Sequence, residues 1–156
     1  MSSTQRVTVD LLGNMAFRAI TQTGHEVVMD AAPEVGGTDS GPRPMELLLA
    51  GLGGCTGMDV ISMLRKMRQD VTDYEIQITG ERAAEHPKVY TSIRVEHIVR
   101  GNALNQESVK RAVELSATRY CSAAAMLGRV ARIQETYRVL DETTGQEQAG
   151  SLAVAA

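Results

Sequence analysis

Four glycines fall within seven residues, Gly51-Leu-Gly-Gly-Cys-Thr-Gly57, inside a stretch whose apolar residues keep helical spacing. Leu48, Leu52, Cys55, Met58, Val60, Ile61, Leu64 and Met67 recur on that period between Pro44 and about Gln69. Pro44 and Glu46 suit a first helical turn, and the Arg65-Lys66-Met67-Arg68 cluster suits a last one. A glycine in a helix interior costs about 1 kcal/mol relative to alanine. Something must offset that cost four times. One reading is close packing of two backbones, such as helix on helix. The other is that the smooth surface leaves Cys55 reachable from a pocket. The segment Met45 to Leu64 is also apolar enough to be weighed as a membrane span, and Gly53-x-x-x-Gly57 is a spacing used between membrane helices. Asp59 opposes that reading, since an Asp near a span's centre costs about 2.5–3.5 kcal/mol. A buried helix of a soluble protein is expected, with no membrane partner.

The rest of the chain limits its partners. Its 156 residues are a one-domain length, with 16 basic against 19 acidic residues and a net charge of −3. That balance gives no basic footprint for nucleic acid. One Phe, four Tyr and no Trp leave little for a base-stacking platform. The opening MSSTQRVTVD has no apolar targeting segment, so a cytoplasmic location is expected. Two cysteines are too few for a disulfide scaffold.

Three short alternating runs open the chain: Arg6 to Leu11, Met15 to Ile20, and His25 to Met29. The Pro- and Gly-rich segment from Ala31 to Pro44 is long for a connection, and such loops are usually functional or disordered. After the glycine-bearing helix, Tyr74–Ile78 and Val89–Val99 alternate as strands. Asn105 caps a helix from Gln106 to Tyr120, a short helix follows from Cys121 to about Val130, and Ile133–Leu140 is a last strand. The expected order is βββ-α-ββ-α-α-β, an α+β fold with an antiparallel sheet and two main helices. A single domain over residues 1–140 is expected, with a frayed tail over 141–156.

The chemistry candidates are few. Gly51-x-Gly53-x-x-Thr56 lacks the third glycine of a dinucleotide loop, and no Gly-Lys-Ser/Thr follows. Gly53-x-Cys55-x-Gly57 fits a cysteine version of a nucleophile elbow, which keeps a cysteine hydrolase as an alternative, with only His86 and His97 downstream as bases. No C-x-x-C or His-x-x-x-His spacing occurs, so neither a metal nor a cofactor is expected. A free cysteine is often a buried, inert residue. Reactivity requires a lowered thiol pKa, from a cation or a helix N-terminus. Asp59 lies four residues after Cys55, on the same helical face. An arginine such as Arg119 or Arg129 is its ordinary partner. Glu46 is an ordinary dipole complement, and Arg18 and Arg43 read as solvated.

Two runs carry a resemblance. Pro44-Met-Glu-Leu-Leu-Leu-Ala-Gly-Leu-Gly-Gly-Cys55 resembles the first-cysteine helix of OsmC-like proteins, and Tyr120-Cys-Ser-Ala-Ala-Ala-Met resembles their second-cysteine helix. The cysteines are 66 positions apart (121 − 55), similar to the family's separation. The element order matches over about residues 5 to 140. The runs Gly53-Gly-Cys-Thr-Gly-Met-Asp-Val and Leu115-Ser-Ala-Thr-Arg-Tyr-Cys-Ser resemble the YhfA-like branch most.

The resemblance implies an intertwined homodimer and a thiol-dependent peroxidase that reduces organic or inorganic hydroperoxides in oxidative stress defence. Cys55 would attack the peroxide and Cys121 would resolve the sulfenic acid. A thiol or dihydrolipoyl reductant would reset the pair. Two departures stand out: Met45 occupies the place of the family's glutamate, ten residues before the first cysteine, and Met15 aligns with its arginine. Glu46, Arg18, Arg43, Asp59 and Arg119 are then the candidates for activating the thiolate or binding substrate. The alternative is a dimeric binding protein for a small apolar or thiol ligand, without peroxidase chemistry.

Overall fold

The computed structural model describes residues 3–153. Its elements are β1 (Val7–Gly13), β2 (Ala16–Thr21), β3 (Glu26–Met29), α1 (Pro44–Lys66), β4 (Asp70–Arg82), β5 (Tyr90–Asn102), α2 (Gln106–Leu115), α3 (Ser122–Leu127), β6 (Arg132–Asp141) and β7 (Gln146–Ser151). The expected order holds, with one strand added. The chain divides into two compact units, up to Leu48 and from Leu49. The division falls inside α1. An unbroken helical pattern hides it, because no shift in composition marks the place.

In the N-terminal unit, β1, β2 and β3 form an antiparallel meander. The loop that follows is ordered around one carboxylate. Asp30 is 2% exposed. Its Oδ1 accepts from the Ala31 amide at 2.7 Å. Its Oδ2 accepts from the amides of Thr38 and Ser40 at 3.0 and 3.1 Å, and from both their hydroxyls at 2.8 Å. Hydrogen bonds to the charged form favour it. Those from Ser40 and Thr38, the Ser40 amide foremost, hold the Asp30 carboxyl well below its ordinary 3.8.

In the C-terminal unit the strands run β4-β5-β6-β7. β4 and β5 are a long antiparallel hairpin. The expectation of an antiparallel sheet fails at β5 and β6, which are parallel. The chain leaves β5 and returns through α2 and α3, and such a helical crossover is the connection that parallel neighbours require. The expected frayed tail is also corrected: β7 pairs antiparallel with β6, from Thr136↔Ser151 to Asp141↔Gln146. Its residues, QEQAGS, are poor strand formers. An edge strand needs only the exposed backbone groups of its neighbour. Residues 154–156 of that expectation lie outside the described residues.

Leu52, Thr56, Val60 and Leu64 are the buried stripe of α1. Val60 and Leu64 enter one core with Val99, Val109, Ala112, Val113, Tyr137 and Val139. Full burial of a Val or Leu contributes about 1.5–3 kcal/mol. Gly53 and Gly57 permit this packing against the sheet. A Cβ on Gly53 would lie 2.9 Å from Ile78 Cδ1, and one on Gly57 would lie 2.8 Å from Ile76 Cδ1. A Cβ on Gly51 or Gly54 would meet nothing within 4 Å among the described residues.

The Asp30 cluster yields a pH-dependent prediction. A carboxyl whose folded pKa is depressed stabilises above its unfolded pKa and loses that contribution as pH falls. Asp30→Asn should lower the urea midpoint near about pH 7. The gap from the wild type should narrow as pH drops below the ordinary value of 3.8. A gap that does not change with pH in that range would show that the charge of Asp30 does not hold the loop.

Candidate functional site

The site is built where α1 meets the turn between α2 and α3. Thr56 is buried on α1, and its Oγ1 lies 2.9 Å from Ser116 Oγ. Ser116, also fully buried, donates to Asp59 Oδ2 at 3.0 Å. A hydroxyl has one proton, so Thr56 donates to Ser116 and Ser116 to Asp59. This chain fastens the carboxylate of Asp59 to the end of α2.

After Leu115 the helix widens. Residues Ser116–Tyr120 form a π turn closed by the Cys121 amide on the Ser116 carbonyl at 2.9 Å. Such turns often mark functional positions in helices. The reading of one continuous helix from Gln106 to Tyr120 therefore holds in position and differs in its last turn. The extra residue in that turn sets Cys121 in extended backbone, as the N-cap of α3. Its sulfur accepts from the Ala124 amide at 3.4 Å.

These two arrangements bring Cys55, Asp59 and Cys121 together. The sulfurs and a carboxylate oxygen all lie within 4.8 Å of one another. Both cysteines are free thiols, Cys55 half-buried and Cys121 buried. Burial pushes the Cys121 thiol up to about 11, against the smaller opposing effect of the Ala124 amide. Cys121 is a neutral thiol near neutral pH.

The other charged candidates have partners of their own. Arg119, in the same unit, lies over the Tyr120 ring, 5.3 Å from its centroid. Arg18, Arg43 and Glu46 belong to the N-terminal unit and are engaged there. Arg18 pairs with Asp10 at 3.5 Å and Glu26 at 3.9 Å. Arg43 pairs with Asp39 and reaches the Gly41 carbonyl at 3.1 Å. The Glu46 carboxylate accepts from the Arg43 amide at 2.8 Å, which is a helix cap.

Sequence reasoning missed a second polar group on the sheet. His97 is fully buried. Its Nδ1 lies 2.6 Å from Tyr74 Oη and its Nε2 2.8 Å from Glu135 Oε2. Burial, with the charge of Glu135 behind it, pushes the Tyr74 phenol well above its ordinary range. Tyr74 therefore donates to Nδ1, and the Nε2 proton goes to Glu135. Glu135 Oε1 is buried with no hydrogen-bond partner among the described residues. Glu135 lines a cavity of about 690 Å³ with Ala117, Thr118, Ala124, Gly128 and Ile133. Tyr74 pairs with Val99 and His97 with Ile76. Only that register reveals the two side chains as neighbours, so no local sequence signal announced them.

Comparison with known proteins agrees with this architecture. The model of the family described as OsmC-like protein matches residues 37–136. Protein YhfA of Escherichia coli K12 is 41% identical over 126 residues, which cover 81% of this chain and 91% of that protein. The crystal structure of a hypothetical protein from Aquifex aeolicus VF5 superposes with a TM-score of 0.80 at 31% identity, covering 90% of this chain and 99% of that one. An organic hydroperoxide resistance protein from Legionella pneumophila shares the fold, with a TM-score of 0.63 at 16% identity over 88% of this chain and 96% of that one. With two cysteine helices meeting across an α+β fold, and identity of that extent to YhfA, the chain belongs to the OsmC-like family, on its YhfA-like branch.

Proposed function

We propose that this chain is a thiol-dependent peroxidase that reduces hydroperoxides through Cys55 and Cys121. The observation that carries the reading is the approach of the two sulfurs to within 4.8 Å from positions 55 and 121 of the sequence. Their environments suit different roles. Cys55 is the more accessible thiol and takes the attacking role. Cys121, buried and neutral, takes the resolving one.

The steps balance as follows. The Cys55 thiolate attacks the terminal peroxide oxygen, the O–O bond breaks, and the alkoxide leaves as an alcohol with a proton from solvent. Cys55 is then a sulfenic acid. The Cys121 sulfur attacks the Cys55 sulfur, its proton joins the departing hydroxyl as water, and a disulfide forms. A dithiol, of free-thiol or dihydrolipoyl type, supplies two electrons and two protons to restore both thiols. Met15 and Met45 bring no charge to the places where family members carry arginine and glutamate. Asp59 is the ionisable group built into the pair, and we assign it a positioning role, through Ser116 and Thr56.

The same reading makes the functional unit a cytoplasmic homodimer. α1 is long and apolar enough to cross a membrane, with a mean hydropathy of 1.6, yet only 22% of its most apolar stretch is buried in the single chain. Its sheet-facing stripe is covered. The face with Gly51, Gly54 and Met58 is not, and Met58 is 74% exposed. Exposed apolar area of this kind marks an interaction surface, and a second copy's α1 is the occupant the family's homodimer supplies.

Two experiments test these statements. The reduced protein is titrated with cumene hydroperoxide while free thiols are counted. Two thiols per chain should disappear rapidly. Cys55→Ser should abolish the reaction, and Cys121→Ser should stop at a sulfenic acid that dimedone traps. Thiol loss no faster than that of free cysteine would refute the peroxidase and leave the ligand-binding alternative. Size-exclusion chromatography with light scattering should show a dimer for the wild type and a monomer for Gly54→Leu. A monomeric wild type would overturn the dimer.

A further inference from the structure

We infer that the reduced Cys55–Cys121 pair, together with Asp59, binds a zinc ion as a two-sulfur, one-oxygen site. The inference uses the residues of the proposed peroxidase site but not their reactivity toward peroxide.

The donor set and its geometry carry it. Cys55 and Asp59 are four residues apart on α1, a spacing that points two side chains from one helical face. Cys121 enters from the N-cap of α3. The three ligating atoms lie within 4.8 Å of one another. A tetrahedron with Zn–S of about 2.3 Å and Zn–O of about 2.0–2.2 Å has edges of about 3.5–3.8 Å. Closing the present triangle takes about an ångström of side-chain movement, within reach of small torsional adjustments in two cysteines and one aspartate. Thiolate sulfur with carboxylate oxygen suits zinc better than magnesium or calcium, which require oxygen ligands throughout. Three protein ligands leave the fourth position for water.

The surroundings fit a ligand in that place. Metal-bound carboxylates are held by outer hydrogen bonds that fix their direction. Ser116 donates to Asp59 Oδ2 at 3.0 Å and is itself held by Thr56 at 2.9 Å. A carboxylate can accept about four hydrogen bonds, so the Ser116 contact leaves a lone pair for a metal bond. Two thiols beside a carboxylate form a site in which full ionisation would gather three negative charges. A divalent cation cancels two of them. Binding takes the sulfurs as thiolates and displaces the proton that the buried Cys121 thiol carries. Metal and disulfide exclude each other, because both use the same sulfur electron pairs.

The test uses cobalt(II) as a spectroscopic substitute for zinc, on the full chain, with no peroxide present. The reduced wild type should take up one cobalt per chain, with a near-ultraviolet thiolate-to-cobalt charge-transfer band and the intense visible bands of a tetrahedral ion. Zinc should displace it. Diamide oxidation to the disulfide should remove the signal. Cys121→Ser should abolish the band. Asp59→Asn should weaken affinity at least tenfold, and Ser116→Ala should weaken it by about 10–100-fold, as loss of an outer-shell partner does. Proton release on zinc binding, read with a pH dye in weak buffer, tests the wild type even where a variant does not fold. A wild type without the charge-transfer band or without proton release overturns the site. Undiminished affinity in folded Asp59→Asn removes Asp59 from it. Failure of the peroxide titration leaves these readouts intact, and the reverse also holds.

Discussion

The close seating of α1 on β4 is the contact on which the rest of this structure depends. Gly53 and Gly57 reduce the helix to bare backbone where the Ile78 and Ile76 side chains meet it. With that approach made, Leu52, Thr56, Val60 and Leu64 enter the unit together. Three of the four are apolar and build its core. The fourth, Thr56, carries a hydroxyl into a dry place, where an unmade hydrogen bond costs more than a made one returns. Ser116 is the partner that satisfies it.

That hydrogen bond links packing to chemistry. It fixes Ser116 at the start of the π turn, and the turn sets the backbone of Cys121. The same serine holds Asp59, one turn along from Cys55. The pair of cysteines is therefore tied to a polar chain that runs through the helix junction. Cavities and hydrogen-bond defects introduced there would act on the sulfurs without touching either one. The two thiols differ for the same reason. Cys121 is buried at the junction and keeps its proton, while Cys55 is only half-buried.

The structure also separates two kinds of buried charge. Asp30 is surrounded by amides and hydroxyls and is held strongly ionised, which orders a loop that composition alone would leave open. Glu135 has His97 on one oxygen and no partner among the described residues on the other. The first is a satisfied structural ion. The second leaves one oxygen of a buried carboxylate unanswered beside a cavity.

Much of this was legible before any coordinates. Period-two and helical spacing in the chain locate the three opening strands, the long helix and the β4–β5 hairpin; in α1 and β5 the pattern also marks a buried face, while Val7, Val9 and Leu11 of β1 stay exposed. The cysteine runs identify the family, and the i, i+4 relation of Cys55 and Asp59 follows from helical pitch alone. Tertiary structure decided the rest. It gave β7 a partner that its own residues do not request, and it made β5 and β6 parallel through the crossover. It placed the division of the chain inside an unbroken helical pattern, and drew Cys121, Ser116 and His97 to partners dozens of residues away. Sequence period records which side of an element is apolar. It does not record which element lies against it, and the approach of two sulfurs 66 positions apart is a property of that contact.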